Sequence, residues 1–322
     1  MTTCLGSPAS ARLVWACVLL LPGLYGCGDA PVGPEDGDVV AGVDLDVLFA
    51  PPDAGERAAV EADWAGRTPR AEGVTVEAEA ELSLSGETML GQVVSHVVDG
   101  HRHYGLILTP LPSPPDPLPV LVYAHGGDDG TSMAEVLLVT GALGLGSEDY
   151  VLVAPAYRSE SVRLGDRRWI SEGPASPWDG DVDDALSLVE VALATAPMAD
   201  ASRIGVLGLS RGGTVGLLMA IRDPRIRAVV SFFAPTDFFG PFVRDLVRSV
   251  LLGTENRALS GLEPLAEGVI RPLQQGRLGM GEARQELLRR SPAWFASRLP
   301  AVQIHHGTAD EVVPEEEAER LR

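Results

Sequence analysis

The residue with the clearest chemical potential is a serine between glycines, in the segment Gly208-Leu209-Ser210-Arg211-Gly212. The segment follows a short apolar stretch that predicts a buried strand over 204–207, and it precedes an amphipathic helix predicted over 211–222. A sharp strand-to-helix turn of this kind exposes a serine hydroxyl as a nucleophile, and the flanking glycines avoid clashes with neighbouring elements. We therefore predict that Ser210 is a nucleophile. The simpler alternative is a serine that caps an ordinary helix.

A pair of glycines could supply the second part of such a site. His125-Gly126-Gly127 follows a continuous apolar run over 118–123, which is typical of a fully buried parallel strand. Glycine lets the backbone approach a substrate carbonyl, so that N–H groups can stabilise the developing oxyanion. The predicted oxyanion hole combines the Gly126-Gly127 loop with the N–H group of Arg211 at the start of the helix. A plain glycine-rich turn after a strand is the alternative.

Strands and helices must alternate around these two loops to position them. The alternation of apolar and polar residues predicts strands over 74–80, 82–84, 91–98 and 104–109, which form an antiparallel edge. From residue 118 onward, buried strands alternate with helices, which implies a mostly parallel, doubly wound sheet of the α/β class. The stretch at about 236–298 is rich in Phe and Leu, and we predict that it forms a helical lid over the site.

Four segments, in this order along the chain, resemble the prolyl oligopeptidase-like serine hydrolases, a branch of the α/β-hydrolase fold that is also similar to the dienelactone hydrolases. They are Ala124-His125-Gly126-Gly127, Ala154-Pro155-Ala156-Tyr157-Arg158, the run from Gly208 to Gly213, and the run from Ile304 to Pro314. The resemblance implies an α/β-hydrolase domain over 71–322.

The same resemblance implies a role for the acidic residue in the last of these segments. Asp310 takes the place of the triad acid, and it follows Ser210 in the order serine, acid, histidine. His306 is then a structural histidine near the site. Two alternatives stay open: Asp310 caps the helix after it, or the acid is Asp237, which follows the strand predicted to end at Phe232.

The implied chemistry is acyl transfer to water. Ser210 would attack an ester or amide carbonyl, the N–H groups of Gly127 and Arg211 would hold the oxyanion, and water would release the acyl group. We predict no metal and no cofactor. Full prolyl oligopeptidases carry a β-propeller that gates peptide entry, and the N-terminal part of this chain is far too short for one. The expected substrate is a small ester or a short peptide, and size favours the ester.

No residue fills the position of the base in this triad. All six histidines precede Asp310 in the sequence, whereas the family order implies a histidine beyond the helix that begins near Pro314. We expect either a domain that is truncated at its C-terminus, or a catalytically inactive, lipid-anchored binding protein that keeps the pocket without turnover. We favour truncation, because Ser210, the oxyanion loop and Asp310 are all retained.

The first residues predict export. Arg12 precedes an apolar run over 13–21 that is too short to span a bilayer, and Leu24-Tyr25-Gly26-Cys27 resembles the lipobox of bacterial lipoproteins. We predict a signal peptide over 1–26, lipid modification of Cys27 and a location in the bacterial cell envelope. A plain signal peptide with an incidental cysteine is the alternative. Residues 27–70 are predicted to form an acidic tether rich in Pro and Gly, with a short helix at 53–66.

Charge and composition limit the partners. The chain has 322 residues, of which 45% are hydrophobic, enough for one large α/β domain and a modest extension. Its formal net charge is −20 and its pI is about 4.6. Nucleic acids bind to basic surfaces, so we predict that no nucleic acid is a partner. The expected partners are the substrate and, through the lipid anchor, a membrane.

Overall fold

The computed structural model describes residues 37–84, 86–145, 148–254 and 259–321. The predicted signal peptide and Cys27 lie outside these residues. The strands are β1 (Val39–Val40), β2 (Val43–Asp44), β3 (Glu72–Leu84), β4 (Glu87–Val98), β5 (His101–Leu111), β6 (Leu118–Ala124), β7 (Thr131–Ser132), β8 (Val151–Ala156), β9 (Ser161–Leu164), β10 (Arg167–Ile170), β11 (Ala199–Leu209), β12 (Ile226–Phe232) and β13 (Ala301–His305).

The helices of the same residues lie mostly between these strands. They are α1 (Leu45–Leu48), α2 (Ala54–Gly66), α3 (Met133–Ala142), α4 (Gly180–Thr195), α5 (Arg211–Arg222), α6 (Pro241–Leu252), α7 (Leu262–Leu265), α8 (Arg271–Gln274), α9 (Met280–Arg289) and α10 (Glu316–Glu319), with a π-helical turn at Ala266–Ile270 and a 3₁₀ stretch at Pro292–Arg298. No helix within the described ranges is long and apolar enough to cross a bilayer.

The main sheet of the described residues has the strand order β13-β12-β11-β6-β8-β5-β4-β3. Strands β8, β6, β11, β12 and β13 are parallel to one another. Strands β3, β4 and β5 pair antiparallel, and β5 joins β8 antiparallel. Asp99 and Gly100 link β4 to β5 with φ angles of 51° and 80°, as a tight two-residue hairpin requires. The predicted mostly parallel sheet with an antiparallel N-terminal edge is therefore confirmed.

Helices cover both faces of this sheet, because successive residues of a strand point to opposite sides. Val206 of β11 packs in the larger hydrophobic cluster, together with α4 and α5. Its neighbour Leu207 packs in a second cluster, together with Met133 and Val136 of α3. Burial on both sides explains the continuous apolar runs of the parallel strands. The arrangement is doubly wound, as predicted.

The insertion that follows β12 is helical, also as predicted. Phe238, Phe239 and Phe242 are at most 8% exposed and belong to the larger hydrophobic cluster. These three aromatic side chains therefore anchor the insertion in the core of the domain. The function of the insertion as a lid stays a prediction.

The segment before α2 differs from the prediction. Leu45 and Leu48 are fully buried in the larger cluster. Arg284 of α9 donates hydrogen bonds to the carbonyl oxygens of Val47 and Leu48, at 2.7 and 3.0 Å. The predicted tether is therefore wrong for residues 37–52, which pack against the domain. The physical reason is a long-range partner: a few leucines and valines between acidic residues suffice to pack against α9, and local composition does not reveal that helix.

The helix after this segment is confirmed. Asp53 caps α2, with its side chain accepting from the Glu56 N–H and the Glu56 side chain accepting from the Asp53 N–H. Val60 and Trp64 are buried on its inner face.

A short hairpin follows β8, in a stretch for which the sequence predicted no strand. Strands β9 and β10 pair around Gly165, and β9 also pairs with β7, beside the glycine-rich loop. Each strand has four residues, which is too short for the alternation that identifies a strand in a sequence. Glu160 immediately precedes this hairpin, which brings its side chain to the site described next.

Candidate active site

Ser210 lies at the junction between β11 and α5. Its φ and ψ angles are 51° and −119°, and positive φ is strained for a residue with a side chain. The Ser210 N–H donates to the carbonyl oxygen of Phe232 at the end of β12, at 2.9 Å. The backbone therefore turns sharply at the serine while its neighbour strand holds it in place, which is the geometry of a nucleophile elbow.

The glycines of the elbow are required by close backbone packing. A Cβ atom at Gly208 would lie 2.2 Å from the Gly212 carbonyl oxygen, and one at Gly212 would lie 2.0 Å from the Ala124 carbonyl oxygen. No side chain fits at such distances. Strand β6, strand β11 and helix α5 thus meet at a point where only glycine can be accommodated.

The glycine-rich loop after β6 comes directly against the serine. A Cβ atom at Gly126 would lie 2.9 Å from the Leu209 carbonyl oxygen and 3.3 Å from Ser210 Cβ. Gly127 follows with a φ angle of 76°, a conformation that favours glycine. The structure therefore brings together the residues that the sequence predicted for the nucleophile and the oxyanion loop.

The backbone of Arg211 offers the second donor. Arg211 is the first residue of α5, and the N–H groups of a first helical turn have no acceptor within the helix. This end of the helix also carries the positive end of its dipole. A developing oxyanion beside Ser210 would find a free N–H group there.

The side chain of Arg211 is a buried hub, 2% exposed. Its Nε and Nη2 atoms bind both carboxylate oxygens of Asp181 at 2.7 and 2.8 Å. Its Nη1 atom lies 2.5 Å from Glu160 Oε1, 2.8 Å from Asp128 Oδ1 and 3.3 Å from the Gly127 carbonyl oxygen. Burial alone would lower the pKa of Arg211, but the Asp181 carboxylate raises it, so the guanidinium stays charged. One side chain thus ties α4, the β9 hairpin and the oxyanion loop to the elbow.

Sequence reasoning missed two members of this hub. Asp181 lies at the start of α4, and its carboxylate accepts from Arg211 and from the Trp178 N–H at 2.8 Å. Glu160 attracted no interpretation. The sequence carries no local signal for either pairing, because the two acidic residues lie 30 and 51 positions from Arg211.

His125 lies under the oxyanion loop and is fully buried. Its ring stacks on Tyr157, with 4.2 Å between the ring centroids. Its Nδ1 atom is 2.9 Å from the Gly126 carbonyl oxygen, and its Nε2 atom is 3.5 Å from Glu160 Oε2. Burial lowers the pKa of His125 to about 4. The imidazole is therefore neutral at neutral pH.

The predicted acid Asp310 lies in the turn after β13. Its Oδ1 atom accepts from the N–H groups of Val312 and Val313 at 2.9 and 3.0 Å. Its Oδ2 atom is 3.7 Å from Nε2 of His306, which is also 2.8 Å from the Val313 carbonyl oxygen. Asp310 is thus held by the backbone of its own turn. In the sheet, only β12 lies between β13, which precedes this turn, and β11, which leads to Ser210.

The alternative acid, Asp237, is fully engaged elsewhere. Its Oδ1 atom accepts from the Phe239 N–H and from Trp294 Nε1, both at 2.9 Å, and Arg320 Nη1 lies 3.0 Å from its Oδ2 atom. These contacts fix the insertion and α10 to the end of β12. They involve both carboxylate oxygens of Asp237.

The histidines occupy other positions. His96 and His103 are buried side by side on β4 and β5, where burial lowers their pKa values to about 4 and about 3. The exposed His305 stacks on Phe232, with 4.5 Å between ring centroids. Among the residues that the structure describes, no histidine forms a hydrogen bond with Ser210. The described residues also contain no group of three or more His, Cys, Asp or Glu side chains that could hold a metal ion.

Comparisons with known proteins identify the fold. Residues 191–244, which include the elbow, match the BAAT / Acyl-CoA thioester hydrolase C terminal family. Acetyl xylan esterase 1 from Thermoanaerobacterium sp. JW/SL YS485 superposes with a TM-score of 0.53 at 19% identity, over 86% of this chain and 82% of that chain. An acetyl xylan esterase from Paenibacillus sp. R4 superposes with a TM-score of 0.56 at 18% identity, over 86% and 87%. No curated protein sequence matches. The chain has the α/β-hydrolase fold.

Proposed function

We propose that this protein is a serine hydrolase that cleaves a small acyl ester through an acyl-enzyme. The observation that carries the proposal is the nucleophile elbow. Ser210 has a φ angle of 51°, lies directly against Gly126, and is followed by the backbone N–H of Arg211 in the first turn of α5. A strained serine at a strand-to-helix turn needs a reason, because strain of this kind costs on the order of 1–3 kcal/mol. Presentation of a nucleophile is that reason.

Each part of the site has a chemical task in this reaction. Ser210 Oγ attacks the acyl carbon while its proton passes to the base of the triad, which Asp310 orients. The N–H groups of Gly127 and Arg211 hold the oxyanion that forms, and its collapse expels the alcohol, which takes the proton from the base. Water then gives a proton to the base and attacks the acyl-enzyme, the acid is released, and the proton returns to Ser210. Asp310 suits its task because two backbone N–H groups hold its Oδ1 atom in place.

Two findings support an acyl group as the part transferred. The two structural neighbours above carry the name acetyl xylan esterase, and the family match around the elbow carries the name acyl-CoA thioester hydrolase. Esters and thioesters are cleaved by the same serine chemistry. Short peptides are the second substrate class that this chemistry would accept.

A labelling experiment with the full-length protein tests the proposal. A fluorophosphonate should label the wild-type protein, and Ser210→Ala should abolish the label. Ser83→Ala is the matched control, since Ser83 lies exposed on edge strand β3. Turnover of p-nitrophenyl acetate, acetyl-CoA and a short peptide amide then ranks the three substrate classes. A wild-type protein with neither label nor turnover would instead support a binding protein that keeps the pocket without catalysis.

We also propose that the protein is lipid-anchored in the bacterial cell envelope through Cys27. The support is the sequence over 1–27: a basic residue, a short apolar run and a lipobox-like tetrapeptide before the cysteine. A lipid anchor of this type would hold the hydrolase domain at a membrane surface.

A further inference from the structure

We propose that Glu160 is a positioning residue that sets the direction of the Gly127 N–H, acting through His125. This inference rests on the proposed function, because it concerns the oxyanion hole of the same site. A chain of contacts leads from Arg211 to Glu160, from Glu160 to His125, and from His125 to the carbonyl oxygen of Gly126.

The last contact matters because of peptide planarity. The Gly126 carbonyl and the Gly127 N–H belong to one planar, trans peptide unit, so they point in opposite directions. His125 Nδ1, 2.9 Å from that carbonyl oxygen, therefore fixes where the Gly127 N–H points. The next peptide is fixed as well, since Arg211 Nη1 is 3.3 Å from the Gly127 carbonyl oxygen. Glycine has no side chain that could fix these two peptides, so the contacts to their carbonyl oxygens set their orientation.

The contact with Gly126 also determines the tautomer of His125. Nδ1 can donate to a carbonyl only if it carries the proton, which leaves Nε2 as an acceptor. Nε2 is buried, and Glu160 Oε2 is the polar atom beside it, at 3.5 Å, the outer limit of a hydrogen bond. Neither atom has a hydrogen-bond partner among the described residues. A proton on Glu160 Oε2 would give both atoms a partner if it were donated to His125 Nε2, while Glu160 Oε1 accepts from Arg211.

The surroundings of Glu160 favour that proton. Burial raises the pKa of Glu160 to about 8, against the opposing effect of Arg211. The charged and titratable groups that face Glu160 and His125 come from every neighbouring element: Arg211 of α5, Asp181 of α4, Asp128 of the oxyanion loop, Tyr157 after β8, and Arg163 of β9. Above pH 8 Glu160 would lose its proton, and His125 Nε2 would face a carboxylate with no hydrogen between them. The loop would then lose its support, and kcat would fall.

The test compares three variants across pH in the full chain. Glu160→Gln replaces the protonated acid by a neutral group of the same shape, whose amide N–H can donate to His125 and whose oxygen can accept from Arg211. We expect Glu160→Gln to keep kcat within about threefold at pH 7 and to lack the decline of kcat that the wild type shows near pH 8. Glu160→Ala should lower kcat by roughly 10- to 100-fold with little change in KM, at most the loss of one oxyanion donor. Glu172→Gln, at an exposed glutamate just after the hairpin, is the matched control and should change neither value.

The outcomes separate this inference from the proposed function. Wild-type protein without Ser210 labelling and without turnover would overturn the function itself. Wild-type turnover combined with a Glu160→Gln variant that keeps the alkaline decline, or that loses as much kcat as Glu160→Ala, would overturn the role of Glu160 alone. If Glu160→Ala fails to fold, the pH profile of Glu160→Gln still decides.

Discussion

Arg211 Nη1 lies 2.8 Å from Asp128 Oδ1, so the residue after the nucleophile holds the loop on the other side of the site. The same guanidinium forms a two-bond pair with Asp181 in the interior. The backbone N–H of Arg211 is one proposed oxyanion donor, while its side chain contacts the carbonyl oxygen of Gly127, whose N–H is the other. The buried side chain of Arg211 thus links the nucleophile elbow to the oxyanion loop, in addition to the close backbone packing of the two.

Removal of the Arg211 side chain should therefore destabilise the whole domain. Arg211→Met would leave Asp181 buried without its cation, and breaking a buried pair in this way costs about 3–5 kcal/mol of unfolding free energy. Urea denaturation of the two proteins measures it. Arg298→Met is the control, because the Arg298–Glu61 pair is nearly half exposed and should contribute little. Equal stabilities of Arg211→Met and wild type would show that the hub does not hold the fold.

A methyl group at Gly126 should affect catalysis more than stability. Its Cβ would meet the Leu209 carbonyl oxygen at 2.9 Å, so the loop must move away from Ser210. Loss of one aligned oxyanion donor corresponds to about a 10²- to 10³-fold lower kcat. Steady-state kinetics on an activated ester check this. Gly268→Ala serves as the control, since nothing lies within 4 Å of a Cβ there. Unchanged kcat in Gly126→Ala would place the oxyanion hole elsewhere.

The two candidate acids can be separated by amide substitutions. Asp310→Asn should lower kcat on the order of 10⁴-fold, because the base would then be held in the wrong tautomer. Asp237→Asn should instead lower Tm while leaving kcat close to that of the wild type, since Asp237 binds Arg320 and Trp294. Kinetics and thermal melts of both variants decide the matter. If Asp237→Asn loses kcat while Asp310→Asn keeps it, the triad acid is Asp237, which follows β12.

Lipid modification of Cys27 is tested in cells. Metabolic labelling with a palmitate analogue should mark the wild type and should be lost in Cys27→Ser. Cys4→Ser is the matched control and should keep the label, because Cys4 lies within the predicted signal peptide. Label that persists in Cys27→Ser would contradict the anchor.

Local patterns predicted what depends on neighbours in the sequence. The elbow and the glycine-rich loop could be predicted because a strand, a glycine and a potentially catalytic residue follow one another directly. Helix α2 could be predicted because Asp53 and Glu56 form a capping box. Side-chain contacts between residues far apart in the sequence could not be predicted. Arg211 finds Asp181 and Glu160 only after α4 and the β9 hairpin pack beside α5. The burial of Leu45 and Leu48 against α9 likewise depends on residues more than 200 positions away.

The most direct test of the account is to trap the acyl-enzyme. The full chain is mixed with p-nitrophenyl acetate, quenched in acid within the first turnovers, digested and examined by peptide mass spectrometry. Our account predicts an acetyl group on the peptide that contains Ser210, and no acetyl group on that peptide in Ser210→Ala. Ester turnover with the acetyl group on another residue, or with no acetylated peptide at all, would contradict Ser210 as the nucleophile.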